Sequence, residues 1–191
     1  RVLDLSTEIA GGYCSKLLTD AGADVVKLEP AEGDPLRRWV ASGTALADDV
    51  DAPLFQFLHT SQRSVLADPA TDAQWWAGAD IVLVTEPLDA DALLARHPHL
   101  VVVTITPWGA TGPWRDRPAT EFTVQAASGT TFTRGLPERE PLSVGGRHGE
   151  WNVATFAAVG AITAWLHARG TGVGQHVDVS MFEALHSTMN S

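Results

Sequence analysis

Glu150 stands immediately before the apolar run Trp151 to Ala168, where a long helix is expected to begin. A carboxylate in the first turn of a helix faces unpaired N–H groups and the positive end of the helix dipole, which favour its ionised form. An ionised carboxylate is a nucleophile able to open a covalent route. The same placement stabilises an ordinary helix start without any chemistry, and on the local sequence alone that plainer reading is the stronger. For Arg37, in Gly33-Asp34-Pro35-Leu36-Arg37, a solvated surface position is an equal reading on the local sequence alone.

Other sites of familiar type fall away. Gly170-Thr171-Gly172-Val173-Gly174 follows a helical pattern and precedes a strand, the reverse of the order that aims backbone N–H groups at a phosphate, so it reads as a helix C-cap and turn. Asp4 to Tyr13 has the right order, but Ala10-Gly11-Gly12 lacks G-x-G-x-x-G spacing. The seven histidines are scattered, and His97-Pro98-His99 reads as a solvated turn. No G-x-S-x-G elbow occurs, and Cys14 on an amphipathic helix reads as core.

The elements that must position these residues belong to one domain of 191 residues, 45% apolar and 19% charged, within the globular range. Thirteen Lys plus Arg against twenty-three Asp plus Glu give a net charge of -10, which argues against nucleic acid while leaving room for a local basic pocket. A single cysteine excludes an internal disulfide and fits a reducing cytoplasm. No apolar run approaches the roughly 18 to 20 residues of a membrane span, so no membrane is expected as a partner. The chain starts without Met and stops within a helical pattern at His186 to Met189, and both ends are expected to be cut.

Short apolar runs alternate with helical patterns, the rhythm of a mostly parallel sheet covered by helices. Strands are expected at Val2 to Leu5, Ala23 to Leu28, Ile81 to Val84, Leu100 to Thr106 and His176 to Ser180. Helices are expected at Gly11 to Ala21, Ala90 to Arg96, Trp151 to Ala168 and from Met181 to Met189, with right-handed crossovers. The helix at Trp151 to Ala168 is apolar almost all round and should be buried on most sides. Gly33 to Ser64 reads as loops with short helices. The turn-rich Trp108 to Pro113 should lie at a carboxyl edge of the sheet, where open α/β folds bind ligands.

Val2-Leu3-Asp4-Leu5, Ala10-Gly11, the run from Leu17 to Pro30 and Gly33-Asp34-Pro35 with Arg37 resemble the opening of the family III CoA-transferases, a family that includes the α-methylacyl-CoA racemases. Thr111-Gly112-Pro113, Asp116-Arg117-Pro118, Val124-Gln125-Ala126 with Ser128-Gly129, Val144-Gly145 and the run from Gly172 to Ser180 continue the resemblance in order and spacing. It implies a Rossmann-like open, mostly parallel sheet with helices on both faces. It also implies that this chain is the N-terminal half of a two-domain protein about twice as long, whose subunits interlock as a homodimer or pair with a tandem copy.

The resemblance further implies transfer of CoA from an acyl-CoA to a carboxylic acid, with CoA as substrate and no permanently bound cofactor or metal. The family's nucleophilic Asp, six residues after the Val of the Val-Gly block, aligns with Glu150; the reaction passes through a mixed anhydride and an enzyme carboxyl-CoA thioester. Arg37 and the backbone of Ala10 match CoA contacts, Arg38 is a substitute for Arg37, and Arg63 keeps a cation of a third block. Two other cations of that block have become Thr60 and Gln62, and Thr85-Glu86-Pro87-Leu88-Asp89 lacks the arginine of the family's next block. These losses leave open a degenerate domain that keeps the fold with a structural or CoA-binding role. The racemases' catalytic His aligns with Thr120, whose hydroxyl is no acid or base near neutral pH, so racemase or isomerase action is the least favoured alternative. Glu121 reads as a structural carboxylate.

Overall fold

The computed structural model describes residues 1–67, 72–86 and 88–188. Among these residues six strands form one sheet: β1 (Val2–Asp4), β2 (Val25–Glu29), β3 (Arg63–Leu66), β4 (Ile81–Val84), β5 (Val101–Thr106) and β6 (Gln175–Ser180). All pairings are parallel and the order is β3-β2-β1-β4-β5-β6. This is the doubly wound Rossmann order. The chain steps outward from β1 to β3, then returns to the other side of β1 at β4, and the reversal opens a crevice at the carboxyl ends of β1 and β4.

Among the described residues seven α-helices cover the sheet: α1 (Glu8–Asp20), α2 (Pro53–Leu58), α3 (Asp72–Ala77), α4 (Ala90–Arg96), α5 (Glu121–Ala127), α6 (His148–Thr171) and α7 (Met181–Thr188). Strand side chains alternate between faces, so two cores form. On one, Val2, Val25, Leu83, Val101 and Val103 meet Cys14 and Leu18 of α1 and Val153, Ala157 and Ala161 of α6. On the other, Leu3, Val26, Val82 and Val102 meet Trp75 and Trp76 of α3 and Leu93 and Leu94 of α4.

β4 and α4 fall where the pattern places them, and the other expected elements agree within a few residues. Gly172 ends α6 at φ 76°, the left-handed cap its sequence signals. Met189 of the expected last helix and Pro87 of the Thr85 to Asp89 block lie outside the described residues. β3 departs from the loop reading of Gly33 to Ser64. It is an edge strand whose side chains are mostly exposed, so no alternation of apolar and polar residues marks it. The short α3 and α5 were likewise unmarked.

The expectation that α6 is buried on most sides needs correction. Its inner face is lined by Ala154, Ala157, Ala158, Ala161, Ala164 and Ala168, while Phe156, Val159, Ile162 and Leu166 are 42%, 68%, 38% and 58% exposed. Small side chains let the helix axis approach α1 and the sheet closely, and the bulky ones turn away.

One buried ionic group ties the start of the fold together. Lys27 of β2, 1% exposed, donates to the Ser6 carbonyl at 2.7 Å and pairs with Asp34 at 2.8 Å and Asp4 at 3.9 Å. Burial alone would lower the Lys27 pKa, but Asp4 and Asp34 raise it; burial would raise that of Asp4, which Lys27 and Ser6 hold down. Asp4 also accepts from the Ser6 amide at 2.9 Å and its hydroxyl at 2.5 Å, fixing the turn from β1 into α1. Removing one member of a buried charge set strands the others. Lys27→Met is therefore expected to cost about 3–5 kcal/mol in urea unfolding at pH 7; a loss below about 1 kcal/mol would show that the set is not a structural keystone.

Candidate functional site

α1 and α6 meet at their N-terminal ends, and the Glu150 carboxylate fills the junction. Glu150 is 6% exposed. Its Oε2 accepts from the amides of Ile9 at 2.9 Å and Ala10 at 3.2 Å, the first turn of α1. Its Oε1 accepts from Arg147 Nε at 2.5 Å, and Arg147 Nη2 touches the same oxygen and Glu8. A Rossmann fold offers the N-terminus of its first helix to a phosphate, and here that anion site is occupied by a side chain of the same molecule. Gly11 lets the turn from β1 fold closely against α1, since an added Cβ would lie 1.9 Å from Ser6 Oγ.

The N-terminus of α6 is satisfied from α5. Glu121 Oε1 accepts from the Gly149 amide at 2.5 Å and from Gln125 Nε2 at 2.8 Å, while Glu121 Oε2 is buried without a hydrogen-bond partner. The Thr120 hydroxyl accepts from the Thr123 amide at the start of α5, closing a capping box.

Glu150 lies in a cleft of about 510 Å³ at the switch point of the sheet. Thr7 comes from the loop after β1, Thr85 and Glu86 from that after β4, and Thr106, Pro107 and Arg115 from the end of β5 and beyond. Thr106 and Arg115 also line an adjoining cleft that reaches Gly109 and Ala110, so the turn-rich segment after β5 does sit beside the site. Burial pushes the Glu150 carboxyl above the usual carboxylate range; Arg147 lowers it, Glu8 raises it, and the Ala10 amide lowers it. Buried beside a cleft and hydrogen-bonded through both oxygens, the carboxylate is held in one orientation.

The cleft brings together Ala10 and Glu150 of the residues singled out from sequence, and leaves Arg37, Arg38 and Arg63 outside its lining. Arg37 donates to both oxygens of Glu29, each at 2.7 Å, and to Asp51 at 2.6 Å; Arg38 binds the carbonyls of Ala47, Asp48 and Val50; Arg63 pairs with Asp24 at 2.6 Å. Gln62, at one lost cation position, donates to Ser15 Oγ at 3.1 Å. Among the described residues no cluster of His, Cys, Asp and Glu could hold a metal ion, and no helix is long and apolar enough to cross a membrane.

A family model for CoA-transferase family III matches residues 1–191. The chain belongs to this family. It is 30% identical to succinyl-CoA–D-citramalate CoA-transferase of Chloroflexus aurantiacus, over 100% of this chain and 50% of that protein. It is 32% identical to succinyl-CoA:mesaconate CoA-transferase of Haloarcula hispanica, over 98% of this chain and 52% of that protein. Its fold is similar to the crystal structure of a CAIB/BAIF family protein from Brucella suis, with a TM-score of 0.88 and 29% identity over 99% of this chain and 55% of that one. The chain thus spans about half the length of the curated relatives it matches.

In this family III chain the residues that sequence reasoning missed are Arg147 and Glu8. Arg147 carried a signal, since three residues before Glu150 is the spacing of a helical ion pair. Glu8 carried none, being 142 positions from Glu150 in the chain and brought to it only by the packing of α1 on α6.

The raised carboxyl of Glu150 has a thermodynamic consequence. A group whose folded pKa lies above its unfolded value contributes stability that is present below the unfolded pKa, near 4.3, and is lost as pH rises through the folded one. The stability of the wild type relative to Glu150→Gln is therefore expected to fall as pH is raised from about 4 upward, read from urea midpoints. A difference that grows with pH would contradict the assigned direction.

Proposed function

We propose that the chain supplies the nucleophile of a CoA-transferase that moves CoA from an acyl-CoA to a carboxylic acid. Glu150 Oε1 attacks the thioester carbonyl; a C–O bond forms, the C–S bond breaks and its electron pair leaves as CoA thiolate. The thiolate then attacks Cδ of Glu150 in the mixed anhydride, forming a new C–S bond and expelling the donor's carboxylate. An acceptor carboxylate attacks the same Cδ, releasing thiolate and giving a second anhydride. Attack of the thiolate on the acceptor's acyl carbon completes the new acyl-CoA and returns the Glu150 carboxylate.

The observation that carries this reading is the position of Glu150 Oε2 between two amides. When Cδ becomes tetrahedral the developing negative charge falls on that oxygen, where the Ile9 and Ala10 N–H groups, at 2.9 and 3.2 Å, already point. Preorganised donors of this kind are a large source of rate in acyl transfer, because they need no reorganisation as charge develops. Every step in the sequence is an attack by an anion, so the absence of an acid or base at Thr120 is no obstacle. Burial of Glu150 limits hydrolysis of the anhydride and thioester. The protein is further proposed to act in the cytoplasm as a homodimer or tandem pair, with the remainder of the site supplied from outside these 191 residues.

A second reading, a degenerate domain that binds CoA without turning it over or serves as scaffold, is favoured by the commitment of Arg37, Arg38 and Arg63 to partners within the chain. Trapping decides between them. The full-length protein incubated with an acyl-CoA and then with hydroxylamine or borohydride is expected to carry a modification at Glu150 by mass spectrometry, absent in Glu150→Ala. Glu150→Asp, which withdraws the oxygens by about an ångström, is expected to lose about a hundredfold in rate. An unmodified Glu150 together with full activity in Glu150→Ala would reject the transferase reading.

A further inference from the structure

We propose that Arg147 is a positioning residue for Glu150, and that Glu8 is the counter-charge that retains the Arg147 guanidinium while Glu150 is esterified. This rests on the transferase reading above. The geometry has two independent parts. First, the guanidinium spans both carboxylates: Nε donates to Glu150 Oε1 at 2.5 Å, and Nη2 pairs with Glu8 Oε2 and reaches Glu150 Oε1. Second, Arg147 and its other carboxylate partner, Glu8, both sit in left-handed backbone, at φ 57° and φ 69°; among the described non-glycine residues only Ser61 shares this. Such a conformation costs of order 1 kcal/mol or more per residue and persists where surrounding structure imposes it. Here the two residues flank the same carboxylate from the starts of two different helices.

Charge accounting gives the arrangement a purpose. With Glu150 ionised, Glu8, Arg147 and Glu150 together carry one negative charge. In the anhydride and in the CoA thioester Glu150 is neutral, and Glu8 with Arg147 is a neutral pair. The cluster is therefore better balanced in the covalent intermediate than in the free protein. Without Glu8, esterification would leave a half-buried guanidinium without a charged partner, and that penalty would oppose the reaction. Without Arg147, Glu150 would face Glu8 with no cation between them, and its nucleophilic form would be disfavoured. The other charged groups facing this corner are Glu121 from α5, Arg115 from the loop after β5 and Glu86 from the loop after β4. His148 is turned along α6 toward Asn152.

The test uses Arg147→Gln, Arg147→Lys and Glu8→Gln in the full-length protein, following trapped adduct at Glu150 across pH and the fraction held as thioester at a fixed ratio of acyl-CoA to CoA. Arg147→Gln is expected to slow adduct formation at pH 7 about tenfold or more and to displace the acid limb of the profile upward. Arg147→Lys should recover part of that rate with the limb near its wild-type place. Glu8→Gln should displace the limb downward and reduce thioester occupancy about tenfold. A purely structural role would lower amplitude without moving either limb, and limbs that stay fixed, or move in the same direction in Arg147→Gln and Glu8→Gln, overturn the proposal.

Should Arg147→Gln not fold, Arg147→Lys and Glu8→Gln decide through the same limb and occupancy. If the wild type forms no adduct, the transferase reading fails separately. The positioning role is then read from the Glu150 side-chain 13C titration in the wild type, Arg147→Gln and Glu8→Gln: opposite displacements support it and coincident curves reject it.

Discussion

A carboxylate can be buried only where donors replace the water it gives up, and meeting that condition for Glu150 organises this molecule. Two amides from α1 serve one oxygen and a guanidinium from the edge of α6 serves the other. The two helices must then be held start to start at hydrogen-bonding distance. The small residues along their contact allow this: Ala10 and Cys14 on α1, Ala154, Ala157 and Ala161 on α6, with Tyr13 and Trp151 meeting edge to face at 4.8 Å beside the junction. Larger side chains at those positions would separate the helices and leave a charge without partners.

The donors would be of little use if the start of α1 were loose. It is fixed from below by the Asp4, Lys27 and Asp34 set, which grips the Ser6 carbonyl and amide in the turn leaving β1. Lys27 comes from the next strand and Asp34 from the loop beyond it, so the placement of the Ile9 and Ala10 amides depends on the pairing of β1 with β2. A second set, Arg37 with Glu29 and Asp51, fastens the following loop to the same strand. Burial alone would raise the Glu29 carboxyl, but hydrogen bonds from Arg37, Ser64 and the Asp34 amide hold it at about 2. The cations of this region thus act within the fold, and they leave the cleft with Arg115 and Arg147 as its basic residues among those described.

Filling the first helix's anion site from within changes what the Rossmann crevice can do. The usual arrangement presents donors to a phosphate; this one presents them to the Glu150 carboxylate, which lines the cleft and is hydrogen-bonded at both oxygens. The amides that begin the first helix are thereby committed to a single side chain from a distant helix.

Much of this was legible in the residues. Alternating apolar strands and helices specified a parallel α/β fold, because period-2 and period-3.6 patterns follow directly from which faces must leave water. The resemblance of its motif blocks to family III singled out Glu150, and its place before an apolar run marked it as the start of a helix, where the structure has it. Other features carried no local signal. The edge strand β3 buries too little to be patterned, and the outer face of α6 looked like core because apolar character does not reveal which side of a helix meets the sheet. The pairing of the Arg147 guanidinium with Glu8 could not be read from the chain, since it joins segments 139 positions apart, and the inward turn of Arg37 onto Glu29 and Asp51 depends on how the loops between them fold. Sequence determines which groups are available and the local elements they ride on. Only the packed tertiary structure decides which charges become neighbours, because their pairing is set by helix and strand contacts whose geometry is a property of the whole fold.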